Sequence, residues 1–182
     1  MDRKVYFDNA ATTPIRKEVI DSMHKILLKT YGNPSSTHSF GRSAKTQIEI
    51  SRKSIAKHFK ADPQEIIFTS GGTESDNMLL RCAVQDLNVL TIITSKIEHH
   101  AVLHAVEFLD ENQLAKVSYV KTDAEGLIDF EDLEQLLKAD KAKKLVSLMH
   151  INNEIGSILD LDRVSKLCQE NDALFHTDAV QG

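Results

Sequence analysis

The chain has 182 residues, of which 41% are hydrophobic and 27% charged, with a net charge of −5. This composition excludes a disordered or fibrous chain, and the acidic balance gives no basic surface for nucleic acid or an anionic membrane. No apolar run is long enough to cross a bilayer, and no signal-peptide segment opens the sequence. Two cysteines, Cys82 and Cys168, stand far apart on predicted helix faces, which predicts buried, reduced thiols in a cytoplasmic protein.

The first 62 residues read as an extended segment followed by two helices. Residues 5–14 end in a turn at Pro14, and apolar residues then recur at helical spacing in residues 18–30. A loop rich in Gly, Pro and Ser separates this helix from a second one, predicted for residues 43–60.

From residue 65 onward, predicted strands alternate with predicted helices. This rhythm predicts an α/β protein whose sheet is mostly parallel and covered by helices on both faces. The helices follow Thr73, span residues 99–112, start after Asp129, and start at Asp160 or Asp162. The strands are residues 66–69, 90–94, 117–120, 145–149 and 174–177.

One turn has the pattern of a phosphate-binding site. The apolar residues 66–69 lead into Gly71 and Gly72, and Thr73 then begins a helix. Free N–H groups at such a helix start point at an anion, and the helix dipole favours negative charge there. An ordinary strand–helix connection without a ligand has the same pattern, so the turn alone leaves both interpretations open.

Polar residues also follow the other predicted strands. Ligands of parallel α/β sheets bind at the carboxyl ends of the strands, so these loops predict one site. A phosphate at Thr73, a ring stacked on His99, a carboxylate at Asp178 beside a ring nitrogen, and Asn153 and Gln181 on a ring hydroxyl would together bind pyridoxal phosphate. The carboxylate matters because it raises the pKa of the ring nitrogen and keeps it protonated.

Five segments together resemble the cysteine desulfurases, which belong to the class V aminotransferase-like, fold-type I pyridoxal-phosphate enzymes. The resemblance implies the three-layer, mostly parallel large domain of that fold, incomplete in this chain, over residues 16–182. It implies that residues 1–15 contribute to a small domain or to dimer contacts. The segments are YFDNAATTP at 6–14, GNPSSTH at 32–38, FTSGGTESDN at 68–77, HINNEIG at 150–156 and HTDAVQ at 176–181.

The resemblance also implies roles for individual residues. Gly72 and Thr73 would bind the phosphate, and His99 would stack on the ring and serve as the catalytic acid–base. Asn153 and Gln181 would contact the ring oxygen, and Asp178 would pair with the ring nitrogen. His100 departs from the family pattern, which often has Lys after the stacking His.

The chain corresponds to the N-terminal half of such an enzyme. The family's Ser-x-His-Lys motif, whose Lys bonds the cofactor, is expected about twenty residues beyond Gly182, with the nucleophilic Cys and a substrate-binding Arg later still. We therefore expect the full protein to convert L-cysteine to L-alanine and an enzyme persulfide, as a homodimer that serves an iron–sulfur scaffold or another sulfur acceptor. The 182-residue chain alone is expected to be inactive.

Three alternatives remain open from the sequence. Glu98, His99, His100 and His104 form a cluster that resembles a metal site, although no third ligand at a fixed spacing supports it and we expect no metal. The same fold also serves selenocysteine lyases and other class V pyridoxal-phosphate enzymes. The third alternative is an inactive fragment that only dimerises or binds a partner.

Overall fold

The computed structural model describes residues 4–182, which form two compact units divided between Phe68 and Thr69. The boundary expected near residue 15 stays a prediction, and the first three residues of that segment lie outside the described ones. No helix in the described range is both long and apolar enough to cross a membrane.

The first unit contains both predicted helices. Helix α1 spans Lys17–Lys29, and helix α2 spans Ser39–Phe59, so α2 begins before the predicted residue 43. The earlier start follows from His38, whose ring Nδ1 accepts a hydrogen bond from the Gly41 N–H at 3.3 Å and caps the helix. Lys60 ends α2 in the left-handed conformation with φ of 54°.

The strand predicted for residues 66–69 is wrong. A short 3₁₀ turn spans Pro63–Glu65, and the chain continues with extended backbone at Ile66 but without strand pairing. A strand requires a hydrogen-bonded neighbour, and no described segment pairs with this one. Instead, the Arg52 guanidinium donates to the Ile66 carbonyl and lies 4.9 Å from the centre of the Phe68 ring.

The second unit is an α/β fold with a sheet of four parallel strands in the order β2-β1-β3-β4. The other four predicted strands are thus confirmed, each within two residues of its predicted ends. The strands are Thr91–Ser95 (β1), Lys116–Val120 (β2), Lys144–Ser147 (β3) and Leu174–His176 (β4), and the helices are Gly72–Gln85 (α3), His100–Glu111 (α4), Phe130–Lys138 (α5) and Leu161–Glu170 (α6).

Both faces of the sheet are covered, which confirms the predicted three layers. On one face, Ile92 of β1 and Leu145 of β3 pack in one cluster with Leu80 of α3 and Val106 of α4. On the other face, the next residues along the same strands pack against α5 and α6, because successive side chains of a strand point to opposite sides. This second cluster contains Ile93, Val146, Leu133, Leu137 and Val164.

The two cysteines differ in exposure. Cys168 is 1% exposed and packs in the second cluster, as predicted. Cys82 is exposed, so the prediction that it is buried is wrong. Helix α3 buries Leu80 and Ala83, and a residue two positions after Leu80 lies on nearly the opposite side of an α-helix.

Leu80 offers a test of the first cluster. Leu80→Ala should lower the free energy of unfolding by about 2–5 kcal/mol, because the side chain is fully buried and its loss leaves a cavity. Leu79→Ala is the matched control, since Leu79 is its neighbour on α3 and 39% exposed. Urea denaturation of both variants would contradict the packing described here if Leu79→Ala cost as much as Leu80→Ala.

Candidate cofactor-binding site

The pairing of the strands brings three of the polar loops to one edge of the sheet. Thr94 pairs with Ser147, and Ser147 pairs with His176, so β1, β3 and β4 end at the same level. Backbone bonds continue this pairing beyond the strands, since the Leu148 N–H donates to the His176 carbonyl at 3.1 Å and the His150 N–H to the Asp178 carbonyl at 2.8 Å. The loops after these strands therefore lie side by side.

Helix α3 starts at the predicted turn. Gly71 is its N-cap and Gly72 its first residue, and no side chain caps this helix. Within residues 69–182, the other helices begin with a capping side chain, from His99, Asp129 or Asp160. The first-turn N–H groups of α3 thus remain available to an anion.

Gly72 lies against the loop that carries Asp178. A Cβ atom added to Gly72 would come within 2.7 Å of Val180 Cγ2, so the helix start and this loop are in contact. The Val180 N–H donates to Asp178 Oδ1 at 2.9 Å, and Asp178 is only 9% exposed. A buried carboxylate thus lies near the uncapped helix start, with Thr73 one residue along the helix.

His99 is the N-cap of α4 and is exposed. Its Nδ1 accepts from the Ala101 N–H at 3.1 Å, so a neutral ring carries its proton on Nε2. Asn77 of α3 donates from Nδ2 to the carbonyls of Thr73 and Ala101, at 3.0 and 3.3 Å, which joins the first turns of α3 and α4.

Asn153 and Gln181 lie on loops at the same edge. Asn153 is half-buried and Gln181 is exposed. The neighbouring Asn152 is buried and donates from Nδ2 to the Ile97 carbonyl at 2.8 Å, so the loop with Asn153 is tied to the loop before His99.

The rings of His100 and His104 lie 5.2 Å apart, as expected for one helix face. No group of three or more residues in the described part of the chain could hold a metal ion.

Glu98 also joins the loop before His99 to the segment after β3, a role that the sequence did not reveal. It is 6% exposed, and its Oε1 accepts from the Ser95 hydroxyl at 2.7 Å. Burial raises the pKa of the Glu98 carboxyl from 4.5 to about 7; hydrogen bonds from Ser95 and the Met149 backbone oppose this rise, and the charges of Asp178 and Asp76 add to it. No described group hydrogen-bonds to its buried Oε2.

Asp76, His176 and Ser147 form a second contact that sequence reasoning missed. His176 Nε2 lies 3.5 Å from Asp76 Oδ1, and His176 Nδ1 is 2.9 Å from the Ser147 hydroxyl. Asp76 is one turn beyond Gly72 on α3, and His176 is two residues before Asp178. The period of two along a strand could have placed His176 on the same face as Asp178, but its partner on α3 had no sequence signal.

Glu98 makes stability depend on pH. Because the folded protein binds this proton more tightly than the unfolded chain, the stability that Glu98 contributes is complete below about pH 4.5 and is lost as the pH rises to about 7. Glu98→Gln keeps the shape without the charge, so the variant should gain up to about 3 kcal/mol over wild type between pH 4.5 and pH 8.

Urea denaturation at three pH values across this range measures the gain. Glu134→Gln, at an exposed carboxyl of α5, is the control and should not gain stability as the pH rises. An equal difference between Glu98→Gln and wild type at every pH would contradict the raised pKa.

Known proteins match the whole chain. The family model described as Aminotransferase class-V matches residues 5–182. The cysteine desulfurase IscS of Dictyoglomus turgidum is 49% identical over 183 aligned positions, which cover 100% of this chain and 46% of that protein. The chain thus spans about half the length of the curated relatives it matches.

Solved structures give the same result. A NifS-like protein superposes with a TM-score of 0.91 at 38% identity, covering 99% of this chain and 50% of that one. The protein SspA, solved in complex with cysteine, superposes with a TM-score of 0.84 at 35% identity, covering 97% of this chain and 51% of its own. The predicted fold class is thereby confirmed, and the chain belongs to the class V aminotransferase family.

Proposed function

We propose that the full protein is a pyridoxal-phosphate-dependent cysteine desulfurase, which converts L-cysteine to L-alanine and passes the sulfur to a thiol of the enzyme. The observation that carries this proposal is the buried Asp178 carboxylate near the uncapped start of α3. The similarity to IscS and to SspA, whose structure holds cysteine, supports L-cysteine as the substrate.

The helix start fits the phosphate end of this cofactor. The N–H groups of Gly72, Thr73 and Glu74 have no acceptor among the described residues, and the Thr73 hydroxyl can add a further donor. Gly72 fits because a side chain there would have to displace Val180, whose Cγ2 lies 2.7 Å from the position of an added Cβ atom. The Glu74 carboxylate, in the same first turn, accepts from the Ser70 N–H at 2.6 Å.

Asp178 fits the ring-nitrogen end of the cofactor. The bound cofactor supplies an electron sink, provided that its ring nitrogen is protonated. A buried carboxylate beside that nitrogen favours the protonated form, since burial strengthens the attraction between opposite charges. The Val180 N–H fixes Asp178 Oδ1 and leaves Oδ2 for the ring.

We assign ring stacking and proton transfer to His99. Its Nδ1 is engaged by the Ala101 N–H, so Nε2 is the atom that can exchange a proton. Asn153 and Gln181 would contact the ring oxygen, as the resemblance implies.

Neither described cysteine suits the role of the nucleophile. Burial raises the pKa of the Cys168 thiol to about 11, and a hydrogen bond with Asp86 raises the pKa of Cys82. Both shifts reduce the thiolate, which is the reactive form. We therefore assign the nucleophile, like the lysine that bonds the cofactor, to the part of the protein that this chain does not cover.

Lys25 is not assigned to the cofactor, although it ends a matching motif. The letters Ser-x-His-Lys do occur in this chain, at residues 22–25, but they lie inside α1 and precede the phosphate turn, whereas the resemblance places the motif after the last strand. The expectations of a homodimer, an iron–sulfur scaffold or other sulfur acceptor, and a cytoplasmic location rest on the same resemblance.

The first experiment tests the reaction itself. The full protein, loaded with pyridoxal phosphate, should release alanine from L-cysteine in step with sulfide when a reducing thiol is present. Alanine from L-selenocysteine but not from L-cysteine would favour a selenocysteine lyase, and no cofactor binding at all would favour a binding module.

Asp178→Asn tests the role of the carboxylate. The substitution keeps an acceptor for the Val180 N–H but removes the charge, so alanine release should fall about 100-fold, the size expected for one preorganised electrostatic contact. Asp129→Asn, which likewise keeps a backbone cap at the start of α5, is the control and should retain wild-type activity. Full activity of Asp178→Asn would contradict the assigned role.

Residues 1–182 alone should be inactive. Purified with added pyridoxal phosphate, they should release no alanine from L-cysteine, because neither described cysteine suits the nucleophile and no lysine is assigned to the cofactor. The fragment should also self-associate, since the apolar residues Ile20, Met23, Leu27 and Leu28 of α1 are exposed in the described chain. A monodisperse fragment that cleaves cysteine would contradict both statements.

A further inference from the structure

The contact between Asp76 and His176 links the two parts of the candidate site. Asp76 lies on α3, one helical turn after Gly72 and Thr73, and His176 lies at the end of β4, two residues before Asp178. Asp76 is 4% exposed, and the side chain of His176 is 9% exposed. The contact is thus shielded from water. Opposite charges attract each other more strongly in such a low-dielectric environment than in water.

The Asp76 carboxylate depends on this contact. Its Oδ1 lies 3.5 Å from His176 Nε2, and its buried Oδ2 has no hydrogen-bond partner among the described residues. A buried charge that loses its partner is strongly destabilising, so α3 and β4 cannot separate here without cost. The contact is attractive when Nε2 of His176 carries a proton, because two acceptor atoms repel each other.

Ser147 fixes the other side of the His176 ring. Its hydroxyl is 2.9 Å from Nδ1, and Ser147 is fully buried in β3. The ring is therefore held between α3 and β3 at a single orientation. The Leu148 N–H donates to the His176 carbonyl and the His150 N–H donates to the Asp178 carbonyl. Both residues are thus held by the same segment after β3, so a shift of His176 would also move Asp178.

We infer that Asp76 and His176 are positioning residues, which set the separation between the phosphate-binding turn and the Asp178 carboxylate so that one ligand can reach both. The inference rests on the proposed cofactor. The short phosphate arm of pyridoxal phosphate limits the distance between its phosphate and its ring nitrogen, so its affinity depends on the separation of the two protein groups. A ligand that uses only one of them does not depend on it.

Two probes distinguish a ligand that uses both protein groups from a ligand that uses only one. Pyridoxine 5′-phosphate carries both the phosphate and the ring nitrogen but has no aldehyde, so its affinity for the full apo-protein reports the noncovalent contacts without a bond to lysine. Inorganic phosphate uses the turn at Thr73 only. His176→Ala and Asp76→Ala should each weaken pyridoxine 5′-phosphate about tenfold, a usual coupling for residues in contact. Each should leave the affinity for inorganic phosphate within about twofold of wild type.

The double variant tests whether the two residues act through one contact. If they do, Asp76→Ala combined with His176→Ala should weaken pyridoxine 5′-phosphate no more than the weaker-binding single variant. The conservative variants Asp76→Asn and His176→Gln, which can keep a hydrogen bond, should recover most of the affinity, and they replace the alanine variants if those fail to fold.

Lys144→Met provides the matched control. Lys144 is a buried charged residue of β3 paired with Asp140 at 2.8 Å, but it lies at the amino end of the strand, away from the site. It should lower the melting temperature of the apo-protein without changing the affinity for either probe.

The inference is overturned if the Asp76 and His176 variants behave like Lys144→Met, or if they weaken both probes equally. If the wild-type protein binds neither pyridoxine 5′-phosphate nor pyridoxal phosphate, the proposed function itself is wrong. If it binds both and the variants bind like wild type, only the role of Asp76 and His176 is wrong.

Discussion

The parallel pairing of β1, β3 and β4 is the constraint on which the candidate site depends. Because Thr94, Ser147 and His176 lie in one row across the sheet, the loops that follow them begin at one level. The helices α3 and α4 then pack on the same face through Leu80 and Val106, which brings their first turns to that edge. The site is therefore a consequence of strand register and of one apolar cluster.

Much of this arrangement follows from local sequence. Alternation of apolar strands with amphipathic helices predicts the layers, and the cap residues Asp129 and Asp160 predict where α5 and α6 begin. The rule that ligands bind at the carboxyl ends of parallel strands then selects the loops with His99 and Asp178. The layers and the starts of α5 and α6 match the structure because each depends on residues close together in the chain, whereas the use of these loops as a binding site stays a prediction.

The remainder depends on contacts between distant residues. The apolar residues 66–69 have the composition of a strand, but a strand also needs a partner, and composition carries no information about one. The exposure of Cys82 depends on which side of α3 faces the sheet, and that side is set by Leu80 and Ala83. The contact of Asp76 with His176 joins residues 100 positions apart, so only the fold reveals it.

Three buried acids meet at this edge, and the protein stabilises each one differently. Asp76 faces His176, and Glu98 has a pKa raised to about 7, so that below this pH it is mostly uncharged. Asp178 keeps one oxygen on the Val180 N–H and lies close enough to raise the pKa of Glu98. A positive ligand group beside Asp178 would offset part of that repulsion. The protonated ring nitrogen of the proposed cofactor is such a group, so its binding beside Asp178 would also ease the repulsion among these acids.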